Sequence, residues 1–221
     1  MPPLHSDALG DLIARVGPDA DSVLAEMADR ADREGFPTVG PEVGRCLAMC
    51  VRLLGARSVL ELGSGYGYSA YWMARALPPG GRVVLTERDA DLLDDARAYF
   101  ERGGLADRAT FEPGEALATV DAHEGPFDLI HLDHDTDRYV AGFEAARGRL
   151  ADGGAVAVDN VAVYRDVQTP AGLLATLDGA SAPNDRTRVV AAFHEHVREV
   201  PGFEPYLLPV GEGLVVACHV G

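Results

Sequence analysis

The stretch of sequence that decides the fold is an apolar segment that runs into a glycine-rich turn, Ser58-Val59-Leu60-Glu61-Leu62-Gly63-Ser64-Gly65-Tyr66-Gly67-Tyr68-Ser69. Its apolar part predicts a buried strand, and the residues after the turn predict a helix through about Leu77. Glycines at such a junction let a ligand approach the backbone closely, and the helix N-terminus offers unpaired N–H groups. Twenty residues past Gly67, Glu87 ends the next predicted strand, where a carboxylate can accept ribose hydroxyls. Together these features predict a nucleotide-type cofactor site.

The spacing of the turn distinguishes between two cofactors. A dinucleotide-binding turn usually follows G-x-G-x-x-G, whereas this chain has G-x-G-x-G preceded by an acid at Glu61. That acid would repel a pyrophosphate, but it suits a cofactor that carries an ammonium group and no phosphate. We therefore expect S-adenosylmethionine rather than NAD.

Strands and helices alternate beyond the turn. Further strands are predicted at 82–87, 109–112, 127–133 and 155–159, helices at 90–102 and 139–150, and a closing hairpin at 204–209 and 214–219. This alternation indicates βαβ units, so we expect an α/β, Rossmann-like doubly wound fold. The sheet is expected to be mainly parallel with a C-terminal antiparallel hairpin, and with helices on both faces.

The length of 221 residues suggests one domain, at about 150 residues per domain as a prior. Residues 7–56 show helical apolar spacing that is interrupted near Gly35-Phe36-Pro37 and resumes at Pro41. We expect residues 1–57 to form a helical cap of the same domain, whose S-adenosylmethionine-binding core is 58–221. The segment 160–185 is polar and patternless, and it is predicted to be a loop or lid.

The charge balance bears on partners and location. All 19 basic residues are arginine, and the 35 acidic residues bring the formal net charge to −16. This balance disfavours nucleic acid and anionic membranes. No apolar run of about 18 residues occurs, and the start, Met1 to Asp7, lacks the features of a secretory signal. Three cysteines without a CxxC pair indicate reduced core thiols. We expect a cytoplasmic protein.

The acidity itself has two explanations. One is an acidic proteome adapted to molar salt, which screens the repulsion between carboxylates. The other is a GC-rich genome that favours arginine over lysine, with moderate acidity for solubility. Composition leaves both open.

Acidic side chains lie at the carboxyl ends of four predicted strands, where open α/β sheets bind ligands; they are Glu61, Glu87, Asp133 and Asp159. If the strands that end at Asp133 and Asp159 are neighbours, they lie about 4.8 Å apart, and both carboxylates stay ionised only with a cation between them. With the amide oxygen of Asn160 they would suit Mg²⁺, and also Mn²⁺ or Ca²⁺. The other interpretation is a polar exit from the strand. His131 is interpreted as a core residue, and His134 as a candidate for substrate contact or proton transfer.

Several of these segments resemble known methyltransferase motifs. Residues 59–63 and 68–70 resemble motif I of class I S-adenosylmethionine-dependent methyltransferases, and residues 132–139 resemble a stretch of catechol O-methyltransferase. Residues 157–161 are similar to the Asp-Asn motif of the catechol and caffeoyl-CoA O-methyltransferases, and residues 208–214 resemble their closing hairpin. From Val39 onward, the resemblance implies a cation-dependent O-methyltransferase with a seven-stranded sheet, commonly a homodimer.

The resemblance also implies site residues. The metal ligands fall on Asp133, Asp159 and Asn160. The cofactor contacts fall on Val39, Glu61, Gly63, Tyr68, Ser69, Glu87, Gly114, Ala116 and Asp133, to which we add the neighbouring Ser64, Gly65 and Glu115.

One departure from the family concerns the general base. The family usually has a lysine three residues after the first metal aspartate, but this chain has Thr136 there and no lysine anywhere. A threonine hydroxyl is too weak a base. We therefore place the catalytic role on Asp133, His134 and Asp135. A cation would lower the pKa of the substrate hydroxyl, and His134 or Asp135 would take its proton. Alternatively, the substrate is already acidic or is not a catechol.

The expected activity is methyl transfer from S-adenosylmethionine to a hydroxyl of a small, catechol-like substrate with the help of a divalent cation. Two alternatives stay open. The first is a metal-independent methyltransferase acting on RNA or on nitrogen, although the charge disfavours RNA. The second is a cofactor-binding protein without catalysis, which Thr136 suggests.

Overall fold

The computed structural model describes residues 7–221. Residues 1–6, on which the expected absence of a secretory signal rests, lie outside the described residues. The helices are α1 (Asp7–Val16), α2 (Ser22–Glu34), α3 (Gly40–Leu53), α4 (Tyr68–Ala76), α5 (Ala90–Arg102), α6 (Ala116–Ala122), α7 (Tyr139–Arg147), α8 (Pro170–Leu177) and α9 (Asp185–Glu199). The strands are β1 (Ser58–Leu62), β2 (Arg82–Glu87), β3 (Ala109–Pro113), β4 (Phe127–Leu132), β5 (Leu150–Val158), β6 (Phe203–Leu208) and β7 (Leu214–His219).

All seven strands within the described residues form one sheet, in the order β3-β2-β1-β4-β5-β7-β6. Strands β1 to β5 run parallel, and β7 pairs antiparallel with both β5 and β6. The chain moves outward from β1 to β3 and then crosses to β4 on the other side of β1, so the β1–β4 junction is a topological switch point. Ligands of open α/β sheets bind at such a point. The predicted fold class is confirmed.

Both faces of the sheet are covered, which explains why its central strands are almost entirely apolar. Val59 of β1 belongs to the cluster formed with α2 to α5, which includes Trp72 and Phe100. Leu60, the next residue, belongs to the cluster on the opposite face, where α7 and α9 contribute Phe143 and Phe193. Consecutive residues of one strand thus anchor both helical layers, and the strand ends are fixed on both sides.

The N-terminal helices pack into the first of these clusters through Leu24, Met27 and Leu47, all fully buried. The hydroxyl of Tyr66, in the glycine turn, donates to the backbone oxygen of Met27 at 3.0 Å. This contact ties α2 to the turn, and it places the break between α2 and α3 beside the switch point.

The structure corrects the predictions around residue 150. The helix predicted at 139–150 ends at Arg147, and β5 begins at Leu150 rather than at residue 155. The first part of β5 is half-exposed and contains Gly153, whose φ is +74°. Polar residues and glycines there hide the strand pattern in the sequence.

The prediction of a loop over 160–185 is wrong in its second half, because α8 occupies Pro170–Leu177. Its N-terminus has Pro170 in the first turn and Thr169 as the cap, which accepts the N–H of Gly172 at 3.1 Å. Helices α6 and α9 are absent from the predicted elements. The sequence does contain a signal for α9. The side chain of Asn184 accepts the backbone N–H of Thr187 as an N-cap, and the buried residues Val190, Phe193 and Val197 follow at helical spacing.

Within residues 7–221, no helix has both the length and the apolar character needed to cross a bilayer.

Candidate active site

A cavity of about 840 Å³ opens at the carboxyl ends of β1, β2, β4 and β5. Its wall divides into two parts. The glycine-turn half consists of Gly63 to Tyr66, Tyr68, Ser69, Glu87 and Gly114 to Ala116, and the break before α3 closes it from above through Phe36 to Val39. The carboxylate half carries most of the ionisable groups; it includes Asp133, Thr136, Asp159, Asn160, Tyr164, Arg165, Asp185, Arg186 and Glu212.

The glycine turn needs glycine for two reasons. Gly63 and Gly67 have φ values of +87° and +84°, in the left-handed region that disfavours other residues. A Cβ atom on Gly63 would lie 2.6 Å from the backbone oxygen of Asp133. The backbone N–H of Ser64 donates to the oxygen of Thr86 on β2 at 2.9 Å. The turn is thus clamped between the ends of β2 and β4, and its backbone lines the cavity.

Glu87 lies at the end of β2, as predicted. Its Oε2 accepts the backbone N–H of Gly65 at 3.0 Å, and its Oε1 accepts that of Asp89 at 3.0 Å. A carboxylate has about four lone-pair positions, so each oxygen keeps capacity for a ligand hydroxyl. These backbone bonds fix the carboxylate beside the turn.

The structure brings almost all of the predicted cofactor residues to the cavity wall, where the positions that share the glycine-turn half are Val39, Gly63, Ser64, Gly65, Tyr68, Ser69, Glu87, Gly114, Glu115 and Ala116. The hydroxyl oxygen of Ser64 is buried there without a hydrogen-bond partner. Such a group invites a polar partner from a ligand.

Glu61 is the exception, because it does not line the cavity. It is fully buried below the wall, and its Oε1 lies 2.9 Å from Nδ1 of His131 on the neighbouring strand. The two residues are register partners in β1 and β4, so their side chains share one face of the sheet. The direct contact expected between Glu61 and the cofactor therefore does not follow from its position in the structure.

His131 is a buried core residue, as interpreted from the sequence, and it has a charged partner. Burial works against the imidazolium form, but the hydrogen bond and charge of Glu61 outweigh it and raise the pKa of His131. One atom of each partner, Oε2 of Glu61 and Nε2 of His131, is buried without a hydrogen bond. The Glu61–His131 pair thus lies under the cavity, and each partner keeps one atom that can form a further hydrogen bond.

Asp133 and Asp159 follow the neighbouring strands β4 and β5, whose last paired residues are Leu132 and Val158. Asp159 is 1 % exposed, and its Oδ1 has no hydrogen-bond partner. Burial raises the pKa of Asp159 to about 8, and the charge of Asp133 adds to the shift. Burial likewise raises the pKa of Asp133 to about 7, although His131 opposes the shift. The two carboxylates destabilise each other's ionised form.

Asn160 completes the predicted ligand set. Its backbone is left-handed, with a φ of +61°, and its side-chain Nδ2 lies 3.4 Å from Oδ2 of Asp159 and 2.9 Å from Oε2 of Glu212. Since Nδ2 makes these contacts, the amide oxygen is left for another partner. Glu212 is a third carboxylate near the pair, which the sequence interpretation missed although it lies in the quoted hairpin.

These residues fit a hard divalent cation in their chemistry. Two carboxylates and an amide oxygen are ligands that Mg²⁺, Mn²⁺ and Ca²⁺ accept, and a cation would relieve both the repulsion and the unpartnered oxygen of Asp159. Within residues 7–221, no group of three or more His, Cys, Asp or Glu side chains is arranged as a metal site. The fit therefore depends on Asn160 as the third protein ligand.

The two candidate proton acceptors also line the cavity, but neither is hydrogen-bonded to Asp133 or Asp159. Nδ1 of His134 lies 3.1 Å from the backbone oxygen of Asp135, and Nε2 is buried without a partner against Gly142 of α7. Burial lowers the pKa of His134. The exposed carboxylate of Asp135 pairs with Arg88 at 3.3 Å. Their catalytic roles stay predictions.

Arg186, in the first turn of α9, reaches into the carboxylate half. Its Nη1 donates to the hydroxyl oxygen of Thr136 at 2.7 Å, and its Nε donates to Oε1 of Gln168 at 3.0 Å. The guanidinium carbon lies 3.7 Å from the centre of the Tyr164 ring. The cap at Asn184 and the apolar spacing of α9 are signals that could have predicted the helix, although not the contacts that Arg186 makes from it.

Comparison with known proteins identifies the family and agrees with the fold. A profile described as O-methyltransferase matches residues 19–220. Proteins named catechol O-methyltransferase are 34% identical, over 152 residues in Niastella koreensis (66% of this chain, 68% of that protein) and over 179 residues in Mycobacterium tuberculosis (80% and 78%). The crystal structure of an O-methyltransferase from Bacillus cereus in complex with SAH aligns with a TM-score of 0.81 and 30% identity, covering 96% of this chain and 97% of the other. The chain therefore belongs to the O-methyltransferase family and is an S-adenosylmethionine-dependent enzyme of that type.

Proposed function

We propose that this enzyme methylates a hydroxyl of a small, catechol-like substrate with the help of a divalent cation held by Asp133, Asp159 and Asn160. The observation that carries the proposal is the position of Asp133 and Asp159 directly after two neighbouring strands, where Asp159 is buried and one of its oxygens has no partner. The names of the relatives in Niastella koreensis and Mycobacterium tuberculosis support the substrate class.

In this proposal the glycine-turn half binds S-adenosylmethionine. The backbone of the glycine turn allows the cofactor to approach closely, and Glu87 accepts hydrogen bonds from the ribose hydroxyls. The buried hydroxyl of Ser64 gains a hydrogen-bond partner from the cofactor. Tyr68 and Ser69, the first residues of α4, form the adjoining wall. Residues fixed by backbone bonds hold the cofactor in one orientation, which methyl transfer in line with the acceptor oxygen requires.

The carboxylate half would hold the cation and the substrate. Mg²⁺ suits the ligand set best, and Mn²⁺ or Ca²⁺ are alternatives of the same class. The cation supplies Lewis-acid stabilisation of the acceptor oxygen. Tyr139 supports the site from below, because its hydroxyl donates to the backbone oxygen of Asp159 at 3.0 Å. This bond keeps the Asp159–Asn160 segment in place at the end of β5.

Three further expectations stay predictions: a homodimer, a cytoplasmic location, and the absence of nucleic-acid partners. Light scattering coupled to size exclusion would measure the first. Electrophoretic mobility shift with RNA would measure the last, and the net charge of −16 predicts no retention at moderate salt.

Removal of the cation tests the proposal. The purified enzyme is assayed with S-adenosylmethionine and a panel of aromatic diols, before and after treatment with EDTA and after return of Mg²⁺. We expect EDTA to abolish turnover and Mg²⁺ to restore it. Turnover that is indifferent to EDTA would favour the metal-independent alternative. Cofactor binding without turnover of any diol would favour a protein that has lost catalysis.

A further inference from the structure

Arg186 links the two segments that carry the predicted metal ligands. Its Nη1 lies 2.7 Å from Oγ1 of Thr136, three residues after Asp133. Its Nη2 lies 3.4 Å from the backbone oxygen of Asn160, the residue after Asp159. The guanidinium group therefore contacts both the segment that follows Asp133 and the segment that follows Asp159, although Arg186 lies 26 residues past Asn160 in the chain.

The guanidinium group is held in one position by its surroundings. Nε donates to Gln168, which is fully buried and whose own amide donates to the backbone oxygen of Asn160 at 3.2 Å. The Tyr164 ring lies under the cation at 3.7 Å, a contact in which an aromatic face attracts positive charge. A planar donor fork fixed in this way loses little conformational freedom when it binds an anion.

The positive charge of Arg186 is not neutralised by an ion pair among the described residues. The charged groups on the same part of the wall are Asp133, Asp159, Arg165, Asp185 and Glu212. Within residues 7–221, no carboxylate lies within 4.0 Å of its guanidinium nitrogens, although Glu212 feels its charge. Three of its five N–H groups bind neutral oxygens, so two remain for a ligand. A cation in the first turn of a helix also interacts unfavourably with the helix dipole. A contribution to the stability of α9 therefore does not explain the presence of Arg186 at this position.

The place of Arg186 coincides with the departure from the family at Thr136. The family resemblance implies a lysine at that position as a base for the substrate hydroxyl. Arg186 brings a positive charge to the same place, but a guanidinium group stays protonated in proteins and takes no proton. It can stabilise an oxygen that has already lost its proton.

We propose that Arg186 binds the acceptor oxygen of the substrate as an anion, and that the enzyme therefore prefers acidic diols, such as catechols with electron-withdrawing ring substituents. This inference rests on the proposed function. The hydroxyl proton passes to solvent water before the transfer. An electron pair of the oxygen then forms the bond to the methyl carbon, and the electrons of the broken carbon–sulfur bond return to sulfur. The products are a methyl ether and a neutral thioether, so no protein base is needed.

The test uses 4-nitrocatechol, whose ionised form absorbs at longer wavelength than its neutral form. Wild type, Arg186→Gln, Arg186→Lys and the control Arg188→Gln are each saturated with S-adenosylhomocysteine and Mg²⁺, and the bound ligand is titrated with pH. Arg188 is the matched control because it is exposed on the same helix and pairs with Asp185 at 3.2 Å.

We expect wild type and Arg188→Gln to hold 4-nitrocatechol ionised at a lower pH than in free solution. In Arg186→Gln the apparent pKa of the bound ligand should rise by about one unit, and kcat/KM with catechol should fall about 100-fold, as when an oxyanion-binding donor is removed. Arg186→Lys keeps the charge and should give intermediate values. Unchanged affinity for S-adenosylhomocysteine checks that each variant is folded.

An Arg186→Gln enzyme whose titration and kcat/KM match those of Arg188→Gln would overturn the inference. If Arg186→Gln does not fold, Arg186→Lys provides the test. The quantity measured is the slope of log kcat/KM against the acidity of ring-substituted catechols. A slope in Arg186→Lys equal to that of wild type would also overturn the inference. A wild type that turns over no diol contradicts the proposed function instead. The two failures are therefore distinguishable.

Discussion

The two halves of the cavity are built by different kinds of contact. In the glycine-turn half, the backbone of consecutive residues forms the wall, and Glu87 is bonded to the backbone N–H of Gly65. In the carboxylate half, side chains from distant segments meet: Arg186 reaches Thr136 across 50 residues, and Asn160 reaches Glu212 across 52. The glycine-turn half therefore depends on backbone conformation, whereas the carboxylate half depends on charge.

The largest effect is expected in the glycine-turn half, from Gly63→Ala. The left-handed backbone disfavours alanine by about 1–2 kcal/mol, and the added Cβ would lie 2.6 Å from the backbone oxygen of Asp133, which adds roughly 1–3 kcal/mol of strain. We expect the free energy of unfolding to fall by the sum, and the affinity for S-adenosylhomocysteine to drop more than about 100-fold.

Urea unfolding and calorimetric titration measure these two effects. Gly55→Ala is the matched control, because Gly55 has a similar φ of +60° but nothing within 4 Å of an added Cβ. It should lose only about 1–2 kcal/mol and should bind the cofactor normally. Equal losses of affinity in both variants would show that the close approach at Gly63 is unimportant.

A second effect is expected in the carboxylate half when pH changes, and it acts on stability rather than on cofactor affinity. In the folded protein without cation, the pKa of Asp133 is raised to about 7 and that of Asp159 to about 8, both above the value of about 3.9 for an unfolded chain. The folded state then binds more protons than the unfolded state between about pH 4 and 8. Its stability therefore falls as pH rises through this range.

Thermal melts in EDTA at pH 5 and pH 8 would measure this dependence. For a chain of this size, about 1 kcal/mol corresponds to roughly 2–4 °C in Tm, so we expect a fall of about 5 °C or more across the range. Asp159→Asn should flatten the dependence, whereas Asp152→Asn, which alters an exposed residue of the same strand, should keep it. Parallel slopes in all three proteins would contradict a raised pKa of Asp159 in the folded protein.

Features that depend on local backbone conformation could be predicted from the sequence, whereas contacts between distant segments could not. The bounds of β1, β2, α5 and β7 agree with the prediction, because glycine turns and apolar spacing are local signals. The loop predicted at 160–185 is partly wrong, and Arg186 was not foreseen as part of the site. Its contacts with Thr136 and Gln168 span 50 and 18 residues, and no pattern in one segment encodes a meeting of this kind. Glu61 lies at a strand end as predicted, but its contact with His131 on the neighbouring strand is not encoded in the sequence of either strand, and its contact with the cofactor stays a prediction.

We expect the carboxylate half to hold a divalent cation, and we expect cofactor binding not to depend on that cation. Electron paramagnetic resonance of Mn²⁺ in the presence of S-adenosylhomocysteine tests it most directly, with wild type, Asp159→Asn and Asp152→Asn compared at one pH. We expect bound Mn²⁺ in wild type and Asp152→Asn, and a loss of at least about 10-fold in Mn²⁺ affinity in Asp159→Asn. The affinity for S-adenosylhomocysteine should be unchanged in all three. Equal Mn²⁺ binding by Asp159→Asn, or loss of both ligands together, would contradict it.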